Sequence, residues 1–144
     1  MSKTSLSFRI ITTERVVYER DALQVTLPTK AGEITILAGH IPLISVMGTG
    51  AITVTDTENM RHVLAVSGGI LEVRKSGEVV VLAKRSEHAD DIDIDRAQAA
   101  YDRAKAYLDE KRGQADADYA RFQAMLEKNL NRVQIANLHR VNRS

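Results

Sequence analysis

The sequence predicts a β + α protein: an N-terminal antiparallel β-sandwich followed by a C-terminal antiparallel two-helix hairpin. Three observations carry this reading. Seven of the eight glycines and both prolines precede residue 86, whereas eleven of the seventeen alanines follow it. Glycine and proline punctuate strands and turns, and alanine is the strongest helix former, so the architecture changes there. The apolar period changes at the same place, from two residues to between three and four. The expected domains are residues 1–87, a β-sandwich, and 88–144, a helical hairpin.

In the first half, Leu6, Phe8 and Ile10 alternate with polar residues, as do Leu23, Val25 and Leu27, and Ile52 and Val54. His62–Val66, Ile70–Val73 and Val79–Leu82 are further strand candidates. Ser67-Gly68-Gly69 and Lys75-Ser76-Gly77-Glu78 are expected to be tight turns between them, since glycine tolerates positive φ. About eight to ten short strands at this spacing indicate a sandwich or flattened barrel.

In the second half, Asp93 is the expected N-cap of a first helix, with Asp95 favourable in its first turn. Ile94, Ala97, Tyr101, Ala104 and Leu108 line one face, and Gly113 is placed to end the helix. Gln114 to Asp116 form a short loop. Tyr119, Phe122, Leu126, Leu130, Val133, Ala136 and Val141 then line the second helix. Each helix is expected to span roughly 30–35 Å. The shared seam is lean in large side chains. Charge is polarised, with Glu87, Asp90, Asp91, Asp93 and Asp95 at the start and Lys128, Arg132, Arg140 and Arg143 at the end. In an antiparallel hairpin these ends meet, which predicts a weakly latched pair of helices.

The bulk numbers exclude several function classes. A net charge of +1 gives no general case for nucleic acid or an anionic membrane. The basic residues Arg121, Lys128, Arg132, Arg140 and Arg143 are interleaved with Asp116, Asp118 and Glu127, which weakens an RNA-binding reading further. With no cysteine there is no disulfide or thiolate metal site, and a reducing compartment is expected. His40, His62, His88 and His139 form no H-x-H or H-x-x-x-H pair, so no metal site is expected. Ser67 lacks a nucleophile-elbow context, and no phosphate loop is present. No catalytic residue is proposed. A protein-docking module is the better class. The sharpest local question lies in GEITILAGHIPLIS, where His40 is either an internal packing residue or part of a docking surface.

TKAGEITILAGHIPLIS, then AVSGGILEV, VVVLAKRSE and DIDIDRA before an alanine-rich hairpin, together resemble the bacterial epsilon subunit of F-type ATP synthase. The resemblance runs in order along nearly the whole chain. It implies a non-catalytic rotor subunit of the central stalk of a proton-translocating synthase, peripheral at the cytoplasmic face of the bacterial inner membrane. Its β-sandwich would join the gamma subunit to the c-ring. Its helical arm would fold down or extend toward the catalytic beta and alpha subunits and inhibit ATP hydrolysis. No nucleic acid is implied, and the membrane is reached only through the complex.

By that resemblance Lys30, Ala31, Gly32 and Glu33 match the loop facing the c-ring, with Glu33 the leading contact. His40, Ile41, Pro42 and Leu43 lie near gamma. Ile92, Asp93, Arg96 and Ala97 match the I-D-x-x-R-A motif with which some bacterial members bind ATP. Glu87 and Arg103 fall at polar contact positions, and Lys128 and Arg132 fall near arginines of strong binders. No cofactor is required, with ATP a regulatory ligand. Lysine at 128 lacks the bidentate fork that arginine offers phosphate. Asp93 as helix cap, with Arg96 as its surface partner, also explains the motif without nucleotide. Arg121, Lys128 and Arg132 are the expected inhibitory contacts of the extended arm. Thr35 and Ala38 depart from the family pattern ahead of His40. The rival reading is a stand-alone ATP-sensing module with no rotor role.

Overall fold

The computed structural model describes residues 4–113 and 117–143, with side chains for 4–113 and 118–140. The expected loop Gln114 to Asp116 and the side chains of Val141 and Arg143 lie outside the described residues. The chain forms two compact units, Met1–His88 and Ala89–Ser144.

The first unit is built from β1 (Leu6–Ile11), β2 (Val16–Thr29), β3 (Gly32–Leu37), β4 (Leu43–Asp56), β5 (Arg61–Val73) and β6 (Glu78–His88). Hydrogen bonding runs β1-β6-β5-β4-β2-β3, and β1 also pairs with β2, so five strands close on themselves and β3 borders β2. The result is the expected sandwich in its barrel-like form. All pairs are antiparallel except β1 with β6, which is parallel. Phe8, Ile10, Val25, Leu27, Ile36, Met47, Ile52, Val54, Leu64 and Leu71 are fully buried between the layers. Each such side chain contributes about 1.5–3 kcal/mol of transfer free energy.

Among the described residues six strands, four of them 11 to 14 residues long, replace the eight to ten short ones expected. The difference lies in the glycines. Ser67-Gly68-Gly69 is not a turn but the middle of β5, and the register to β4 and β6 is unbroken across it. The inward parity instead changes, from Leu64 and Val66 to Leu71 and Val73. Gly68 and Gly69 have φ of +70° and +134°, which resets the alternation without ending the strand. A Cβ on Gly69 would sit 2.3 Å from the Leu82 carbonyl oxygen, so β5 and β6 approach there too closely for any side chain. β4 makes the same switch around Gly48 and Gly50, burying Met47 before it and Ile52 and Val54 after it. In β2 an irregularity between Ala22 and Gln24 puts Ala22 in the core and leaves Leu23 half-buried, contrary to the simple alternation expected. The turn at Lys75–Glu78 does form, with Gly77 at φ +93° and the Gly77 amide donating to Arg74.

The second unit opens with a 3₁₀ turn, Ala89–Asp91, followed by α1 (Ile94–Glu110) and α2 (Ala117–Arg143). Asp93 caps α1, its carboxylate accepting the Arg96 amide at 3.1 Å. Gly113 adopts φ +86° just beyond the helix end. The helices are unequal, 17 and 27 residues, or about 25 and 40 Å rather than two similar rods. Ala97 and Ala104 are the buried residues of α1. Among the described side chains of α2 the buried residues are Asn129, Ile135 and Ala136, while Leu130, expected in the seam, is exposed. Tyr107 and Phe122 stack at 3.9 Å near the hairpin's closed end.

Candidate functional site

The loop between β2 and β3 is a tight, pinned turn. Thr29 is buried; its hydroxyl donates to the Gly32 carbonyl at 2.6 Å and accepts the Ala31 amide at 3.2 Å. The Lys30 amide donates to Val46 at 2.9 Å. Gly32 has φ +122°, which glycine tolerates best. This scaffold presents Lys30, Ala31, Gly32 and Glu33 all exposed to solvent.

His40 is half-buried, and neither of the extreme answers to its placement applies. Its amide donates to Leu37, and Nδ1 lies 2.7 Å from the Ile41 carbonyl. A carbonyl can only accept, so Nδ1 carries the proton in this contact. The imidazole thereby braces the loop, while Ile41 next to it is 75 % exposed. Pro42 is also exposed and Leu43 half-buried.

A larger feature continues from this loop. Ile44, Val46, Ile70 and Leu82 are large apolar side chains on the outside of the sheet, with Ile44 74 % exposed. Val46 pairs with Ile70, and Ile70 with Leu82, so three of them form one row across β4, β5 and β6. The row opens at one end into a groove of about 510 Å³ between Pro42–Ile44 and Glu72–Lys75. Arg74 stands at its side, bonded to Glu72 at 3.1 Å and Glu78 at 3.2 Å. Those bonds, Glu72 first, raise the guanidinium pKa and hold the cation firmly.

Sequence reasoning missed Ile44, Val46, Ile70 and Leu82 as site residues. The signal was present in Val79-Val80-Val81-Leu82: an uninterrupted apolar run implies that both faces of a strand are to be covered.

Elsewhere in the β unit, Asp56 organises the β4–β5 turn. Oδ1 accepts the amides of Glu58 and Met60, each at 2.9 Å, and Oδ2 accepts His62 Nε2 at 2.8 Å. Arg20 stands 3.6 Å away. These contacts, the His62 bond foremost, lower the carboxyl pKa. Tyr18 packs against Phe8, His62 and His88. Burial pushes its pKa up.

In the helical unit, Ile92, Asp93, Arg96 and Ala97 form the entry and first turn of α1. Ile92 and Ala97 are buried, whereas Asp93 and Arg96 are exposed. Arg103 is exposed further along the helix. Lys128 and Arg132 are half-buried on α2, one turn apart, and Arg132 donates to Asn129 at 3.2 Å. Glu87 lies on β6 opposite Ala65, in the other unit. Arg121 is exposed, 3.9 Å from Asp118 and 5.1 Å above the Phe122 ring.

Known proteins resemble both units. Residues 5–89 match the model of the ATP synthase delta/epsilon chain β-sandwich domain, and residues 90–137 that of its long α-helix domain. An ATP synthase epsilon chain from Macrococcus caseolyticus is 36 % identical over 91 % of this chain and 96 % of its own length. One from Desulforamulus reducens is 38 % identical over 94 % and 99 %. The fold is shared with a chain of the Euglena gracilis mitochondrial ATP synthase OSCP/F1/c-ring structure. That match has TM-score 0.80 at 19 % identity, covering 96 % of this chain and 84 % of the other. With family models spanning both units and relatives aligned almost end to end, this chain belongs to the ATP synthase epsilon chain family.

Proposed function

We propose that this chain is a non-catalytic central-stalk subunit of a proton-translocating ATP synthase, whose β unit joins gamma to the c-ring. The observation that carries the proposal is the outward apolar row of Val46, Ile70 and Leu82, with Ile44 exposed two residues before Val46 on the same strand. A contiguous apolar surface facing water marks a protein interface. Gamma is the assigned occupant, meeting the row and the His40–Leu43 loop. The pinned turn with Lys30 and Glu33 at its tip is assigned to the c-ring. Among the described residues no helix is long and apolar enough to cross a membrane, in keeping with attachment through the complex. That complex is assigned to the cytoplasmic face of the bacterial cell membrane.

The helical unit is assigned the regulatory role. Its seam buries mainly alanines, so little apolar area holds it shut, and a partner can tip such an element by binding one state better. Extended, it would carry Arg121, Lys128 and Arg132 to the catalytic subunits and suppress hydrolysis. ATP is a second, regulatory ligand in this reading, at Asp93, Arg96, Arg103, Lys128 and Arg132. The exposed Arg96 and Arg103 favour it, although Asp93 is engaged as a helix cap.

The deciding experiment is co-purification of tagged gamma with Val46→Asp/Ile70→Asp. Loss of gamma, with thermal stability of the free subunit retained, is the expected result. Retained binding would overturn the assignment of the row. Failure of the unsubstituted chain to bring down gamma would favour the stand-alone ATP-sensing module.

A further inference from the structure

We infer that Thr29 is the positioning residue of the Lys30–Glu33 turn, its buried hydroxyl fixing that turn relative to the Val46 row. The inference rests on the assignment of the turn to the c-ring and adds the group that sets its geometry.

β2 delivers Val25, Leu27 and Thr29 to the interior in alternation, and all three are buried. Two are aliphatic and the third is polar. A valine has nearly the same shape, so burial alone does not favour threonine at this position. A hydroxyl taken out of water costs free energy unless it is hydrogen bonded. Here it is bonded twice, donating to the Gly32 carbonyl at 2.6 Å and accepting the Ala31 amide at 3.2 Å. The hydroxyl uses its one proton and one of its lone pairs, and so closes the turn from the inner side.

The turn needs that support. Thr29 and Gly32 pair across β2 and β3, which leaves Lys30 and Ala31 as a two-residue connection. The two-residue turns that match strand twist, types I′ and II′, take a positive φ at the first central residue. Among the described residues Asn59 is the one non-glycine with positive φ, so Lys30 meets neither form. Positive φ falls instead on Gly32, at +122°. A connection of another type tends to splay the strands. The Thr29 hydroxyl opposes this by joining residues 29, 31 and 32.

The same turn is tied to the apolar row. The Lys30 amide donates to the Val46 carbonyl at 2.9 Å, and the Val46 side chain stands in the row assigned to gamma. Met47, the next residue of β4, pairs with Thr29 and is fully buried. The turn is therefore anchored to a core strand whose outer side carries the row. Load on Lys30 and Glu33 passes to Val46 through this backbone bond, which Thr29 keeps in register.

The test uses the full chain assembled with gamma and titrated with detergent-solubilised c-ring. Thr29→Val should weaken c-ring binding about tenfold, the scale of one to two hydrogen bonds. Gamma should co-purify as before. Thr29→Ser keeps the hydroxyl and should bind like the parent. On a Lys30→Ala/Glu33→Ala background Thr29→Val should add little, because it acts through those side chains. Amide exchange in the free chain reads the turn by itself: Ala31 should exchange about tenfold faster in Thr29→Val and at the parent rate in Thr29→Ser. Unchanged c-ring binding in Thr29→Val, or a loss that Thr29→Ser shares, would overturn the positioning role. Unchanged Ala31 exchange in Thr29→Val would overturn the hold on the turn itself. An unsubstituted chain that carries gamma but does not bind the c-ring would instead overturn the c-ring assignment.

Discussion

The two units of this chain each contain a histidine–aspartate contact of 2.8 Å, in very different surroundings. In the β unit, Asp56 is almost wholly covered, its side chain 7 % exposed, and takes two backbone amides and Arg20 as well as His62. The histidine there is one tie among several in a turn that long strands already hold. In the helical unit, Asp90 is 59 % exposed and meets His139 across the opening of a hairpin. The same pair of groups lies over a deep core in one unit and beside a thin one in the other. What differs is the apolar mass behind each: Phe8, Ile10, Leu27 and Met47 in one unit, Ala97, Ala104 and Ala136 in the other.

The contrast breaks most visibly on core truncation. Phe8→Ala should cost about 3–5 kcal/mol and abolish cooperative unfolding of the β unit at ordinary temperature. Ile135→Ala, in the lean seam, should cost about 2 kcal/mol, the low end for its type. Hydrogen exchange separates the two. Amides of α1 and α2 should lose protection in Ile135→Ala while those of β4 and β5 keep it. Equal loss in both would mean that the units unfold as one and that the comparison is mistaken.

Acid sharpens it next. The folded-state pKa of Asp56 is depressed, first by the His62 hydrogen bond and then by the Met60 amide. The contribution of Asp56 is therefore fully present above the carboxyl range of the unfolded chain, near pH 4. It is lost as pH falls through the lower folded value. Urea unfolding of the β unit should weaken below about pH 4. Asp56→Asn should be less stable at pH 7 and show a flatter acid limb. An Asp56→Asn profile parallel to that of the parent would remove Asp56 as the cause.

The change of architecture was legible because two different periods and two compositions meet near residue 86. Asp93 as a cap was legible from side-chain chemistry alone. The glycines misled because Gly68-Gly69 has turn chemistry, yet its positive φ values serve to flip strand parity within continuous pairing. That outcome depends on β6 approaching Gly69, a tertiary fact that no local pattern carries. Leu130 and Asn129 exchanged places for a related reason. Helical periodicity fixes a stripe only to within a residue, and the lean seam leaves no large neighbour to decide it. Asn129 donates back to Met125 and accepts Arg132, satisfying itself locally where a leucine was expected. The candidate site was half visible. Lys30–Glu33 and His40–Leu43 came from resemblance. The row beside them needed the register that sets Val46, Ile70 and Leu82 side by side.

The smallest expected effect tests whether the arm's charges serve its own fold or something outside it. Arg121 and Asp118 are 72 % and 65 % exposed and 3.9 Å apart, a spacing at which water competes fully with the pair. Such pairs contribute little, because ordering two long side chains offsets most of the attraction. The guanidinium also lies over Phe122, a contact that at exposed sites is worth about 0.5–1 kcal/mol. Arg121→Ala should therefore shift the midpoint of thermal unfolding by no more than a few degrees, and Arg121→Lys by less. Reconstituted with the catalytic complex, Arg121→Ala combined with Lys128→Ala and Arg132→Ala should raise ATP hydrolysis. A loss of helix content large enough to explain that rise would assign these residues to the hairpin itself. A rise with the hairpin intact assigns them to the partner surface that the extended arm meets.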